Sequence, residues 1–291
     1  MRLFITGATG FLGSHVLSAA LAAGYEVRAL RRHEMSSPVV PLTSQPVWCE
    51  GDLSTLQSHW FEGVDAVVHL AAAGVSPKQA IWSELVQVNV VGSLQLLEMA
   101  KEIGVRRFVV AGTSHEYGNA ARRYEAIPPD SPLEPVNAYG ASKAAGFQLL
   151  RTFAKDHLLE LFYGRVFSAY GEGQFEENFW PSLRRAALSG NDFPMTSGCQ
   201  ISDFIPVKTV ASHFLQACTR PDISADSPLV VNIGSGITKS LLAFAQSEWE
   251  RLGATGRLIP ASLPNRTDQI ERYVPDLNGL GIPETFCMNA L

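Results

Sequence analysis

Residues 1–13 read MRLFITGATGFLG. An apolar stretch, Arg2–Thr6, runs into a loop with glycines at positions 7, 10 and 13, and an alanine-rich segment follows. Glycines let a strand turn tightly into a helix and let backbone N–H groups approach a phosphate, while the helix N-terminus favours negative charge. Alone, the pattern also fits an ordinary glycine-rich corner. As the opening of a β-α-β unit it implies a dinucleotide site formed by Gly7, Thr9, Gly10, Phe11, Leu12 and Gly13.

The flanking sequence supplies that unit. Residues 14–23 read as an apolar helix stopped near Gly24, and residues 26–30 (EVRAL) as a second strand. A weak third strand falls at 47–49, a fourth at 66–70 (AVVHL), a long helix at 82–103 and a fifth strand at 107–111 (RFVVA). Wholly apolar strands alternating with helices predict a parallel sheet covered on both faces, a doubly wound α/β fold of the Rossmann type. After residue 170 glycine, proline, aromatic and charged residues crowd together, and one clear strand, 229–233, follows. The expected division is a dinucleotide-binding domain over 1–165 and a smaller substrate lobe over 166–291, with strand 229–233 returning to the main sheet.

Composition narrows the function classes. Of 291 residues, 46% are hydrophobic and 18% charged, with a net charge of −5. No basic footprint is present, so nucleic acid is not an expected partner. Four cysteines, Cys49, Cys199, Cys218 and Cys287, lack metal-ligand spacing. Neither a signal-peptide pattern nor an apolar run of ~18 residues is present, so a cytoplasmic chain without a membrane span is expected.

Residues 137–146 read NAYGASKAAG and place Tyr139 four residues before Lys143. On a helix such a pair shares one face. An ammonium beside a phenol favours the phenolate and tunes it for proton exchange. Chance also produces this spacing often, so the pair gains meaning only from its companions.

Those companions run in order along the chain. After the GxxGxxG loop come Gly51-Asp52-Leu53, His69-Leu70-Ala71-Ala72, Asn89-Val90-Val91-Gly92, Thr113 four residues before Tyr117-Gly118, and Tyr139 with Lys143. Arg165-Val166-Phe167 with Tyr170-Gly171, Asp203-Phe204-Ile205 with Val207, and Val231-Asn232-Ile233-Gly234 complete the series. The chain resembles the extended branch of the short-chain dehydrogenase/reductase superfamily, the NAD(P)-dependent nucleotide-sugar epimerases, dehydratases and reductases. The resemblance implies that Asp52 and Leu53 lie at the adenine, that Leu70, Ala71, Ala72 and Asn89 lie beside the cofactor, and that Thr113, Tyr139 and Lys143 form the reacting centre. Lys143 would also bind the nicotinamide ribose. It implies a homodimer through the helices over 83–103 and 139–157.

An acid at the end of the second strand selects NAD in this fold, and a base accommodates a 2′-phosphate. Arg31-Arg32 stands there, which favours NADP over NAD; the pair also fits two solvated arginines.

The resemblance also bounds the chemistry. Sugar 4,6-dehydratases of the family carry adjacent Asp-Glu after the Ser/Thr, where this chain has Ser114 and His115. Glu116 comes one position late and is expected to point elsewhere. His115 takes the place of a cysteine acid/base in the fucose-synthase type. It fits a proton shuttle on carbon or, as the preferred reading, a residue packed under or bonded to the sugar. Asn178 falls where the family holds a diphosphate; Arg185 and Arg266 are further candidate substrate contacts, although Arg185 also fits a solvated face. Ser202 stands where the family has an arginine. The leading expectation is reduction of a 4-keto sugar or epimerisation on a nucleotide-activated sugar. A non-nucleotide carbonyl substrate and a catalytically silent cofactor-binding regulator are the alternatives. No G-x-S-x-G elbow supports a hydrolase.

Overall fold

The computed structural model describes residues 1–75, 80–265 and 270–281. Six strands, β1 (Arg2–Thr6), β2 (Glu26–Arg31), β3 (Val47–Glu50), β4 (Ala66–His69), β5 (Arg107–Thr113) and β6 (Glu160–Val166), join strand Leu229–Ile233 in one sheet. The order is 229–233, β6, β5, β4, β1, β2, β3, and every pairing is parallel. The crossover from β3 back past β1 to β4 makes a switch point, where doubly wound sheets open a ligand crevice at the carboxyl ends of their strands.

Side-chain alternation feeds two cores. Leu3, Ile5, Val68, Val109 and Phe162 face the layer holding helix α1 (Phe11–Ala22). Phe4, Val67, Phe108, Leu161 and Tyr163 face the other side, with Trp60, Phe61, Leu96, Leu97 and Leu150. Both faces are apolar because both are covered, which explains the unbroken hydrophobic runs. Helix α1 ends where Gly24 takes a φ of +78° and donates to Leu21 O.

The long helix over 82–103 is not uniform. Helix α2 (Trp82–Val86) passes through a π-helical turn at Gln87–Gly92 before α3 (Ser93–Glu102). Helix α4 (Ala138–Asp156) packs against that turn, and a Cβ on Gly146 would stand 2.4 Å from Asn89 O. The close approach is the local reason for a glycine there.

The remaining chain builds a lobe from two separated stretches. Helix α5 (Phe179–Leu188) precedes helix α6 (Val207–Ala217), which packs on α1 rather than in the lobe. Helix α7 (Leu241–Arg251) follows strand Leu229–Ile233 and packs on α5 around Leu183, Ala187, Ala245 and Trp249. Short pairings, Phe193–Pro194 with Leu258–Ile259 and Ile201–Asp203 with Thr238–Ser240 and Arg272–Tyr273, tie the stretches together. No described helix is long and apolar enough to cross a membrane.

Candidate active site

A cleft of about 1670 Å³ runs along the carboxyl ends of the strands and under the lobe. The glycine loop forms one wall. Gly7 adopts φ +69°, and a Cβ on Gly13 would stand 2.0 Å from Gly7 O, so α1 rests directly on the loop. Gly10 caps α1 without a side-chain bond, leaving first-turn N–H groups open to the cleft. Gly7 and residues 9–13 line this wall, joined by Asp52, Leu53, Leu70, Ala71 and Ala72. Asp52 is held by Ser54, whose backbone N–H and hydroxyl donate to it at 2.8 and 2.6 Å, and these bonds lower its pKa. The donor set and the glycine cradle fit a dinucleotide.

Arg31 and Arg32 both line the cleft. Arg31 pairs with Glu50 at 2.7 Å, donates to Glu34 O and lies 5.0 Å from the Trp48 ring centroid, while its buried Nε has no hydrogen-bond partner among the described residues. Of the two arginines expected at a 2′-phosphate, Arg31 is thus ion-paired in the cleft wall and Arg32 is exposed. Glu50, at the end of the third strand, is the neutralising acid that the second strand did not reveal.

Thr113, His115, Tyr139 and Lys143 converge at the middle of the cleft. Thr113 ends β5, and its hydroxyl accepts from His115 N at 3.3 Å. The same side chain stands beside the Tyr139 phenol and favours its ionised form. Asn137 caps α4 by accepting from Gly140 N at 2.8 Å, which starts the helix at Ala138, one residue before Tyr139. The following turns place Lys143 beneath Tyr139, buried, with no hydrogen-bond partner among the described residues.

The expected lowering of the tyrosine pKa is corrected. Burial and then the nearby Glu116 charge push the Tyr139 phenol up, against the Thr113 bond, so it keeps its proton. Burial drives Lys143 down from the ordinary lysine value. Loss of hydration dominates both groups, which helix spacing alone does not convey.

His115 is exposed to the cleft, and its ring meets Tyr139 edge-on with centroids 6.0 Å apart. The Asn137 amide lies 3.3 Å from Nδ1. With Asn137 Oδ1 accepting from Gly140, its NH₂ is the donor, so Nε2 carries the proton of the neutral ring. The cleft walls exclude enough water to lower the His115 pKa, keeping it neutral.

Two expected contacts change place. Asn89 is buried and does not line the cleft; its amide accepts from Ala73 N at 2.8 Å and donates to Ala73 O and Ser142 Oγ. Ser142 in turn donates to Tyr139 O, so Asn89 supports the site from behind. Arg185 is turned out of the cleft toward Glu176, 3.2 Å away. Arg266 lies outside the described residues. Asn178 does line the cleft, and its side chain makes no cap bond to α5.

Sequence reasoning passed over a buried polar chain behind the loop. The Thr6 hydroxyl accepts from Leu70 N and Ala71 N, each at 3.2 Å, and so donates to His69 Nδ1 at 2.7 Å. His69 Nε2 then donates to Ser93 Oγ at 2.9 Å, and Ser93 donates to Asn89 O. Glu116 is likewise buried, paired with Arg165 at 2.6 Å, and outside the cleft as expected. Phe175, Gln174 and Ser168 line the lobe side, where no motif marked them.

Comparison with known proteins places this arrangement. The UDP-glucose 4-epimerase of Erwinia amylovora is 29% identical, with 88% of this chain and 84% of that protein covered. The solved structure of MoeE5 in complex with UDP-glucuronic acid and NAD is 29% identical, with 96% and 91% of the chains covered and a TM-score of 0.82. A DesIV double mutant, a dTDP-glucose 4,6-dehydratase from Streptomyces venezuelae solved with NAD and DAU bound, is 26% identical, with 96% and 89% covered and a TM-score of 0.79. The NAD dependent epimerase/dehydratase family profile matches residues 3–234, and the chain belongs to that family of extended short-chain dehydrogenase/reductase enzymes.

Proposed function

We propose that the protein is an oxidoreductase or epimerase of nucleotide-activated sugars, working through Thr113, Tyr139 and Lys143. The observation that carries the reading is the convergence of these three side chains, with the neutral His115, in a cleft continuous with the glycine loop. A bound nicotinamide dinucleotide would accept or return hydride. Tyr139 starts protonated and donates to a substrate oxygen as charge develops there. Thr113 orients the phenol, and Lys143 supplies positive charge beneath it. His115, with Nε2 carrying its proton, donates a hydrogen bond to the sugar. That geometry supports the binding reading of His115 over proton abstraction from carbon, because Asn137 engages the nitrogen that would act as base.

The division of labour follows the chain: residues 1–165 hold the dinucleotide, and 166–291 hold the substrate, with strand 229–233 in the sheet. Asn178 is the proposed diphosphate contact, and Arg266 remains a proposed one. NADP is the proposed cofactor, with Arg32 as reader of the 2′-phosphate. The Arg31–Glu50 pair favours NAD as the second reading, since it leaves a carboxylate beside the arginine. A homodimer is proposed through the helices over 83–103 and 139–157, which expose Val86, Val91 and Leu149.

The deciding experiment is a thermal-shift screen of nucleotide sugars with NAD or NADP present, followed by turnover of the hits by Tyr139→Phe. Ligand binding to the folded state raises its apparent stability. Loss of turnover by ~10²-fold or more with cofactor affinity retained is expected, in line with removal of a general acid. Full turnover by the variant overturns the assignment of Tyr139.

A further inference from the structure

Beneath the reacting groups lies a charge that touches neither cleft nor solvent. Glu116 is fully buried. Its Oε1 accepts from Thr113 N at 2.9 Å and from Tyr163 Oη at 2.8 Å, and its Oε2 accepts from Arg165 Nε at 2.6 Å. The first of these bonds, with the Thr113 hydroxyl accepting from the turn, forms a reciprocal cap around residues 113–116. The carboxylate is therefore fixed to the backbone of Thr113. Helix α4 rests on the same turn, since a Cβ on Gly140 would stand 2.5 Å from His115 O.

The surroundings are arranged to admit this carboxylate. A Cβ at Gly112 would meet the Tyr163 ring at 2.3 Å and Glu116 Oε1 at 2.9 Å. Arg165 is held away from the cleft by Pro129 O at 2.9 Å and lies over the rings of Tyr117, Phe147 and Tyr163. A buried ion pair is no certain gain in stability, because its desolvation cost rivals its attraction. A well-packed apolar pair would fill the same volume. What an apolar pair cannot supply is a negative charge under the cleft.

We propose that Glu116 is a positioning residue for the reacting centre, supplying a fixed, buried negative charge behind Lys143 while holding Thr113 in place. Tyr163, which donates to the carboxylate, packs its ring 4.6 Å from that of Phe147, one turn beyond Lys143 on α4, so the charge lies behind the reacting helix and favours the protonated forms of Lys143 and Tyr139. The groups that face this region are Tyr139 and Lys143 on α4, His69 on β4, His115 and Tyr117 after β5, and Tyr163 and Arg165 on β6. Of these charges, Glu116 is the one that opposes the loss of the lysine proton on burial.

This inference rests on Lys143 and Tyr139 being the reacting pair, and its test is independent of turnover. Competitive labelling with acetic anhydride across a pH series, read by mass spectrometry of each lysine peptide, gives the titration midpoint of Lys143 with Lys101 and Lys155 as internal references. The measurement is made on the full-length wild type, on Glu116→Gln, and on Glu116→Gln/Arg165→Met, which removes both charges together. A fall of the Lys143 midpoint by roughly one unit or more, the size expected on removing a close opposite charge, supports the proposal. Tyr163→Phe, which keeps the carboxylate, is expected to leave the midpoint in place. An unchanged midpoint in folded Glu116→Gln overturns it, while Glu116→Gln/Arg165→Met, which removes a paired plus and minus charge together, is expected to move the midpoint less. Tyr139→Phe losing no turnover, by contrast, would sink the catalytic reading and leave the labelling result standing.

Discussion

The Thr6 hydroxyl donates a 2.7 Å hydrogen bond to Nδ1 of His69, joining the last residues of β1 and β4 behind the glycine loop. The bond fixes the histidine tautomer, because Thr6 already accepts from two backbone N–H groups. His69 is buried and its pKa is lowered to about 3, first by burial and then by Lys143.

That histidine gives the fold an acid-sensitive point. A group whose folded pKa lies below its unfolded value leaves stability intact above the unfolded pKa, and stability falls as pH drops below it. The slope from His69 therefore begins near pH ~6.5 and amounts to about 1.4 kcal/mol per pH unit once the unfolded histidine is protonated. His115 and His213, also lowered by burial, add in the same direction. Urea unfolding at pH 7.5 and 5.5 checks this: His69→Gln should be less stable at pH 7.5 and lose less between the two. An unaltered pH dependence would show that His69 is not the group titrating.

Gly13→Ala is expected to disable the loop rather than merely perturb it. The added methyl would meet backbone, Gly7 O, at 2.0 Å, and no side-chain rotation relieves that. Overpacking of this kind costs about 1–3 kcal/mol or more. A lowered melting temperature together with loss of NADH fluorescence enhancement is the expected result.

Cofactor choice is read at Arg32. Arg32→Asp removes the exposed guanidinium and repels a 2′-phosphate, so the NADPH-to-NADH preference should move toward NADH by at least ~10-fold, the effect of one charge-assisted hydrogen bond. Ratios of kcat/KM for the two cofactors measure it. No change would return the pocket to the NAD reading and make Arg32 a surface residue.

At His115 the expected split is between binding and chemistry. A donor to the sugar, once removed in His115→Ala, raises KM while solvent-deuterium exchange at the carbon beside the keto group stays as in the wild type. Exchange lost in the variant would instead assign His115 to proton transfer on carbon.

How far these features could be read from sequence depends on the range of the interaction behind each. The glycine loop was legible because turn, helix start and phosphate approach all lie within residues 7–13. Tyr139 and Lys143 are legible as a pair on one helix face from their spacing, and as a candidate site only with the glycine loop and Thr113 beside them. Asn89, which the resemblance puts beside the cofactor, lies one layer behind the cleft because its amide is taken up by Ala73 and Ser142, partners distant in sequence that a motif does not announce. Arg31 and Arg185 were read as open cations because their acids, Glu50 and Glu176, meet them only through strand pairing and a loop turn. The rise of the Tyr139 pKa depends on burial, a property of the assembled cleft.

The lobe's core has a consequence for how the chain is assembled. Phe193 and Trp249, whose ring centroids lie 6.3 Å apart, come from stretches separated by helix α6 and by strand Leu229–Ile233 of the main sheet. A nascent chain therefore completes the outer strand of its sheet before the second half of the lobe has been synthesised. Until then α5 presents its apolar side to solvent without α7, a window in which a partly made chain is open to misassociation. No contiguous fragment contains the lobe without that strand, so cutting the gene at the 165/166 boundary would part strand Leu229–Ile233 from β6 and leave an apolar strand unpaired.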